Sequence, residues 1–212
     1  MPHSGEVVYV VDDDISIREA MTGLLETLNL TVVSFESAES FLQHQRTDTA
    51  ACLILDLELP KMGGLELQMR LAETAELPII FITGHGDIPS SVRAMKRGAV
   101  EFLTKPVDHK VLTTAIRLGL QLNRDTRARH AHVISLRNKL SLLTPRESEV
   151  LPLLVMGHLN KQIAAALGIA EVTVQIHRGR IMQKMAAASF ADLVRMCSLI
   201  GIPDLAKPSG IG

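Results

Sequence analysis

Tryptophan is missing from this sequence, tyrosine occurs once and phenylalanine five times. The chain therefore lacks the aromatic platforms on which single-stranded nucleic acid stacks. Its two cysteines, Cys52 and Cys197, cannot build a disulfide framework, and neither has a CxxC partner for a metal. No apolar run approaches the roughly 18 residues of a membrane span. The opening Met1-Pro-His-Ser-Gly-Glu6 has neither the basic nor the apolar part of a signal peptide, so the chain is expected in the cytoplasm with no membrane partner. An extended disordered chain is excluded as well, because 47% of the 212 residues are hydrophobic and 21% charged. The length accommodates one large domain or two modest ones.

An excess of one charge is also absent from the whole, which sums to −1, but not from the parts. Residues 1–123 hold 17 Asp and Glu against 10 Lys and Arg, a net −7, and residues 124–212 hold 6 against 12, a net +6. An acidic front and a basic back point to two modules, the second attracted to polyanions.

In the acidic half, short apolar β-branched runs alternate with amphipathic stretches: Val7 to Val11, Thr31 to Phe35, Cys52 to Leu55, Ile79 to Thr83 and Val100 to Leu103. Near-continuous apolar runs suit strands buried on both faces, and five strand–helix alternations predict an open parallel sheet covered by helices on both sides. Reactive groups in such sheets gather beyond the carboxyl ends of the strands. Those ends carry Asp12-Asp13-Asp14, Asp56, Thr83 and Lys105-Pro106. Clustered carboxylates repel one another unless a positive charge sits among them, and hard oxygen ligands in a small open site favour Mg2+. Asp12, Asp13 and Asp56 form the expected cage. Asp56 is then a candidate nucleophile toward phosphorus, with Lys105 pairing the added phosphoryl oxygens and the Thr83 hydroxyl donating to one of them.

From about Asp108 the pattern turns helical and runs on, polar and Arg-rich, to Lys139, without Gly or Pro from Leu120 to Leu143. A helix continuing out of the first domain fits this stretch; a disordered tether is the alternative. Three helix signals follow. Thr144-Pro145-Arg146-Glu147 has a capping Thr, Pro at the first position and Glu at the third. Asn160 is placed to cap a short helix that Gly168 ends, and a third helix spans Glu171 to Ala186. Two short helices around a Gly-containing turn are the helix-turn-helix signature. A fourth helix, about Phe190 to Ile200, completes the set.

On the third helix, Val174, Ile181 and Met185 mark an apolar side, while Gln175, Arg178, Gly179 and Met182 project on another. Such a helix can enter a major groove, where Gln pairs with adenine and Arg with guanine or phosphate, and Ile176 reaches a thymine methyl. Thr144, Lys161 and Lys184 are better placed for phosphate contacts; Thr173 and Arg180 complete the candidate DNA-binding set. His177 reads as a packed or capping histidine.

Four motifs, Val10-Val11-Asp12-Asp13-Asp14, Leu55-Asp56-Leu57-Glu58-Leu59-Pro60 followed by Met62-Gly63-Gly64, Phe81-Ile82-Thr83-Gly84 and Gly98 to Pro106, stand in the order and spacing of the receiver domain of bacterial two-component response regulators, which residues 5–123 resemble. Residues 141–200 are similar to the LuxR-type helix-turn-helix, through Leu143 to Glu147, Asn160-Lys161-Gln162-Ile163-Ala164, and Thr173-Val174 with His177. Together they resemble the FixJ/NarL group, on its FixJ side. The resemblance implies a doubly wound, flavodoxin-like α/β receiver at 1–123, a helical linker at 124–140 and an all-α four-helix DNA-binding domain at 141–212. It implies that Asp56 accepts phosphate from a sensor histidine kinase, that Asp12, Asp13 and the backbone carbonyl of Glu58 help hold Mg2+, and that Thr83 and Phe102 are a switch pair. It also implies a cis Lys105-Pro106 bond, roles for Glu58 and His85 in phosphate lifetime, homodimerisation on phosphorylation or DNA binding, double-stranded DNA as target and RNA polymerase as a further partner. Phe102 stands where Tyr is common, so the ring has no hydroxyl. The apolar side near Leu193, Val194 and Cys197 fits either the family's dimer contact or the domain's own core.

Two other readings remain open. Asp12-Asp13-Asp14-Ile15-Ser16 fits the opening of haloacid-dehalogenase-type phosphatases, although no later acidic pair follows Lys105. A ligand-sensing transcription factor with a receiver-like domain that is no longer phosphorylated is the other.

Overall fold

A computed structural model describes residues 5–74, 77–84 and 86–202, arranged as two compact units that divide after Ala128. In the first unit five parallel strands, β1 (Val7–Val11), β2 (Thr31–Phe35), β3 (Ala51–Asp56), β4 (Ile79–Thr83) and β5 (Glu101–Thr104), lie in the order β2-β1-β3-β4-β5. The helices between and after them are α1 (Ile15–Glu26), α2 (Ala38–Gln43), α3 (Gly64–Thr74), α4 (Ile88–Lys96) and α5 (His109–Leu140).

Every residue of β1, β3 and β4 is buried, which explains why these strands read as unbroken apolar runs. Alternation assigns the side chains to two cores. Tyr9, Leu53, Leu55 and Phe81 pack on one side of the sheet, and Val8, Val10, Ile54 and Ile80 pack on the other with Leu112 and Ile116 of α5. Two strands differ from the sequence expectation at both ends, β3 starting at Ala51 and β5 ending at Thr104. β3 takes in Asp56, and β5 starts at Glu101 because its register against β4 pairs Ile80 with Glu101 and Thr83 with Thr104.

α5 is helical from His109 to Leu140, so residues 124–140 lie within it and no tether interrupts it. Asn123 Oδ1 accepts from the Ala51 amide at 3.0 Å, and Arg124 and Arg127 pair with Glu6 and Asp48.

The second unit holds α6 (Pro145–Val155), α7 (Asn160–Leu167), α8 (Glu171–Met185) and α9 (Phe190–Leu199). Its core joins Val150, Leu154, Ile163, Val174, Ile181 and Met185. Leu193 and Cys197 are buried in this same core and Val194 packs against it, so that side of α9 serves its own domain. α7 begins differently from the sequence expectation: Leu159 is the N-cap and Asn160 the first helical residue. The reason is Gln162, whose Oε1 accepts from the Leu159 amide at 2.8 Å and so fixes the start one residue earlier. Gly168, at φ 65°, closes the helix in the left-handed conformation that glycine adopts without strain.

At the start of α6 the capping box forms in full, with Glu147 N–H donating to Thr144 Oγ1 and Thr144 N–H donating to Glu147 Oε2. Glu147 is 1% exposed and also accepts from Lys184 Nζ at 2.7 Å, which ties α8 to the cap. Burial raises the proton affinity of Glu147, but the bonds from Lys184 and Thr144 outweigh it and hold the carboxyl below its ordinary 4.5. Its stabilising contribution is therefore complete above pH 4.5 and is lost as pH falls through the lower native value. Glu147→Gln is expected to cost on the order of 1 kcal/mol at pH 7, about 4–8 °C in the thermal midpoint of a unit this size. The gap to the unsubstituted chain should close in acid, and a gap unchanged at pH 3 would contradict the pairing.

Candidate functional site

The strand order makes β1 and β3 neighbours, and the register pairs Val11 with Leu55. Asp12 and Asp56 therefore stand side by side at the carboxyl edge of the sheet. Lys105 follows β5 directly, its amide held by the Thr83 carbonyl at 2.8 Å, and its side chain reaches across. Lys105 Nζ lies 2.8 Å from Asp12 Oδ2 and 2.6 Å from Asp56 Oδ2. The second oxygen of each carboxylate is held by backbone, Asp12 Oδ1 by the Asp14 amide at 2.9 Å and Asp56 Oδ1 by the Glu58 amide at 3.0 Å. Asp12 and Asp56 are 3% and 6% exposed, while Asp13 stands open to solvent, and an oxygen from each of the three falls within 4.8 Å of the others.

Burial pushes the Asp12 carboxyl above its ordinary value, with the Lys105 hydrogen bond pulling against it. On Lys105 burial acts downward, but the bonds to Asp12 and Asp56 prevail and hold the amine above the usual lysine value. The lysine is thus a fixed cation at neutral pH between two carboxylates whose charges it only half balances.

Thr83 is fully buried at the tip of β4. Phe102 is half-buried, with its ring 6.1 Å from that of Phe81, and the Lys105-Pro106 peptide is cis. His85 lies outside the described residues.

Three residues to which the sequence reading gave no role shape this edge. Arg18 Nη1 donates to the Asp12 carbonyl at 2.7 Å, a contact its position on the first turn of α1 allows. A Cβ at Gly64 would come within 2.4 Å of the Asp56 carbonyl oxygen, so α3 can start beneath β3 only with glycine there. A Cβ at Gly86 would meet Thr104 Cγ2 at 3.0 Å, Phe102 Cε1 at 3.1 Å and Thr83 Cγ2 at 3.5 Å, which sets this loop against both members of the expected switch pair. For Gly64 the Gly63-Gly64 doublet was the available signal; for Gly86 and Arg18 the sequence holds none.

In the second unit, Gln175, Gly179 and Arg180 of α8 are exposed and Ile176 is half-exposed, as are the outlying Thr144 and Lys161. Thr173 is half-buried in the first turn. Three placements depart from the sequence expectation. Arg178 turns toward its own domain and stacks over the Phe190 ring at 4.9 Å. Met182 packs against the domain core. Lys184 is neutralised by Glu147. By helical spacing Arg178 stands about 40° from the direction of Val174, Ile181 and Met185, on the core side, whereas Met182 and Lys184 stand at the margins of that side and are drawn in by the core and by Glu147.

Residues 8–117 match the family described as response regulator receiver domain, and residues 141–197 match the family of bacterial regulatory proteins of the luxR type. The chain is 47% identical to nodulation protein W of Bradyrhizobium diazoefficiens, over 92% of this chain and 87% of that protein. It is 44% identical to response regulator protein TodT of Pseudomonas putida, again over 92% and 87% of the two chains. Among solved structures, that of the response regulator StyR superposes with a TM-score of 0.81 at 48% identity, covering 92% of this chain and 98% of the other. Among the described residues, no helix is long and apolar enough to cross a membrane.

The half-balanced charge gives a direct test. Lys105→Met removes the largest of the effects pulling the Asp12 carboxyl back toward ionisation and leaves the Asp14 amide in place. Carboxyl-carbon NMR should then place the Asp12 titration at higher pH than in the unsubstituted chain; an unmoved titration would contradict the shared ion pair.

Proposed function

The chain belongs to the response regulators of the FixJ/NarL type, joining a receiver domain to a luxR-type DNA-binding domain, and from this premise we propose that phosphoryl transfer to Asp56 governs its binding to double-stranded DNA. The observation that carries the reading is the position of Lys105 Nζ between Asp12 and Asp56 at adjacent strand tips. Membership of this family also leaves the phosphatase alternative without support.

In the proposed reaction an oxygen of Asp56 attacks the phosphorus of a phosphohistidine on a sensor histidine kinase. A P–O bond forms, the P–N bond breaks, and the imidazole nitrogen leaves with the electron pair. Lys105 holds the Asp56 carboxylate in place beforehand and is within reach of the oxygens that arrive on phosphorus. Glu58 N–H fixes the carboxylate's other oxygen. Three carboxylates against one ammonium leave net negative charge and hard oxygen donors, the set that a small divalent cation takes. Mg2+ held by Asp12, Asp13, Asp56 and the Glu58 carbonyl would supply positive charge that screens the phosphoryl group from the carboxylates. The Thr83 hydroxyl donates to a phosphoryl oxygen and Phe102 turns inward behind it, with Gly86 leaving the space for both.

Downstream of this switch the chain forms a homodimer, binds DNA and contacts RNA polymerase, all in the cytoplasm. A change from 1:99 to 99:1 between states requires the phosphate to favour one by about 5.5 kcal/mol. On DNA, Gln175, Ile176 and Arg180, with the bare Gly179 among them, face the bases, while Thr144, Lys161 and Thr173 contact phosphates. Arg178 and Lys184, engaged with Phe190 and Glu147, are assigned to bracing α8.

Labelled acetyl phosphate supplied with divalent magnesium should transfer phosphate to the chain and not to Asp56→Asn; undiminished labelling of that variant would show the acceptor to be elsewhere. DNA affinity should also fall steeply between 50 and 200 mM salt, by about tenfold or more for a few phosphate contacts. A salt-insensitive complex would remove the electrostatic basis of the reading.

A further inference from the structure

The outward surface of α8 is more apolar than its role as a basic module suggests. Val174, Ile181 and Met185 are completely buried and fix the direction of the domain core. At about 100° per residue, the direction opposite that core is shared by Val172, Ile176, Gly179 and Gln183, with Gln175 and Arg180 on the two flanks. Val172 is 63% exposed and Ile176 50%. Two β-branched side chains thus stand one turn apart on the outermost ridge. In the next turn, a Cβ at Gly179 would meet nothing within 4 Å, so the ridge drops to bare backbone and a partner surface can approach closely.

The flanks decide what kind of surface that is. An amide at Gln175 and a guanidinium at Arg180 suit base edges and phosphates, and the region beyond residue 123 carries a net +6, which disfavours an apolar protein partner and favours a polyanion. The major groove of DNA offers one apolar feature to such a ridge, the methyl group of thymine. Four residues of helix advance about 6 Å, close to two base-pair steps at about 3.4 Å each.

Resting on the DNA-binding reading above, we infer that Val172 and Ile176 act as a pair, reading the methyl groups of two thymines within two base-pair steps of each other. Val172 is then a specificity-determining residue that no cap, charge or motif in the sequence marks. Its side chain makes no hydrogen bond, so its contribution is discrimination between thymine and a pyrimidine without the methyl.

The test uses the full chain with acetyl phosphate and divalent magnesium. Duplexes retained from a random pool are remade with single thymines replaced by uracil, which deletes the methyl and nothing else. Two thymines within two steps should each lose roughly fourfold in affinity on replacement, the value of one buried methyl group, with the salt slope unchanged. Val172→Ala, at an exposed position that leaves the core intact, should make one of these sites indifferent to the exchange, and Ile176→Ala the other. Uracil tolerated everywhere, or Val172→Ala retaining the full thymine preference, would overturn the inference while leaving DNA binding in place. Failure to retain any duplex would instead overturn the DNA-binding reading and this inference with it.

Discussion

Two buried carboxylates share one ammonium. Asp12 and Asp56 face each other because the sheet places β1 beside β3, and at 3% and 6% exposure neither is screened by water. Lys105 makes the arrangement tolerable by bonding both, yet a single cation leaves the cluster, with Asp13 at its mouth, short of positive charge. The surrounding structure serves this shortage. Asp14 and Glu58 donate backbone N–H groups to the carboxylates, Arg18 holds the Asp12 carbonyl, and Gly64 lets α3 begin against the end of β3. The result is a cluster of hard oxygen donors, held in place by backbone, of the kind a small divalent cation favours.

Much of this edge was legible in the sequence, for a physical reason. Strands buried on both faces are apolar along most of their length, so the first polar residue at the end of each apolar run marks the strand tip, and a parallel sheet brings all such tips to one edge. Asp12, Asp56, Thr83 and Lys105 could be found that way. Strand limits were less clear: whether Asp56 belongs to β3 or follows it depends on its ladder partner Ile82, which the run alone does not contain. Gly86 was invisible because its meaning lies in what a side chain would strike on β5, and Arg18 because it serves a carbonyl rather than a side chain.

The second unit was legible in the cap of α6 and less so in that of α7 and in its surfaces. The box at Thr144 to Glu147 is a local device, satisfied within four residues, and it formed as read. By spacing Lys184 and Met182 stand at the margins of the apolar side and Arg178 within it, and each has a partner: the buried Glu147, the domain core and the Phe190 ring. Val172 shows the converse. As an aliphatic residue it would be counted toward a core, but the side marked by Val174, Ile181 and Met185, buried in the structure, lies opposite it. Helical periodicity yields the angle between residues; the fold supplies which angle faces in.

We propose that the acidic edge carries phosphate on one particular carboxylate, Asp56. An aspartyl phosphate can be reduced by hydride to a homoserine residue, which mass spectrometry of proteolytic fragments locates along the chain. After incubation with acetyl phosphate and divalent magnesium, reduction is expected at position 56 alone. Reduction at position 12 or 13, or none anywhere, would contradict it.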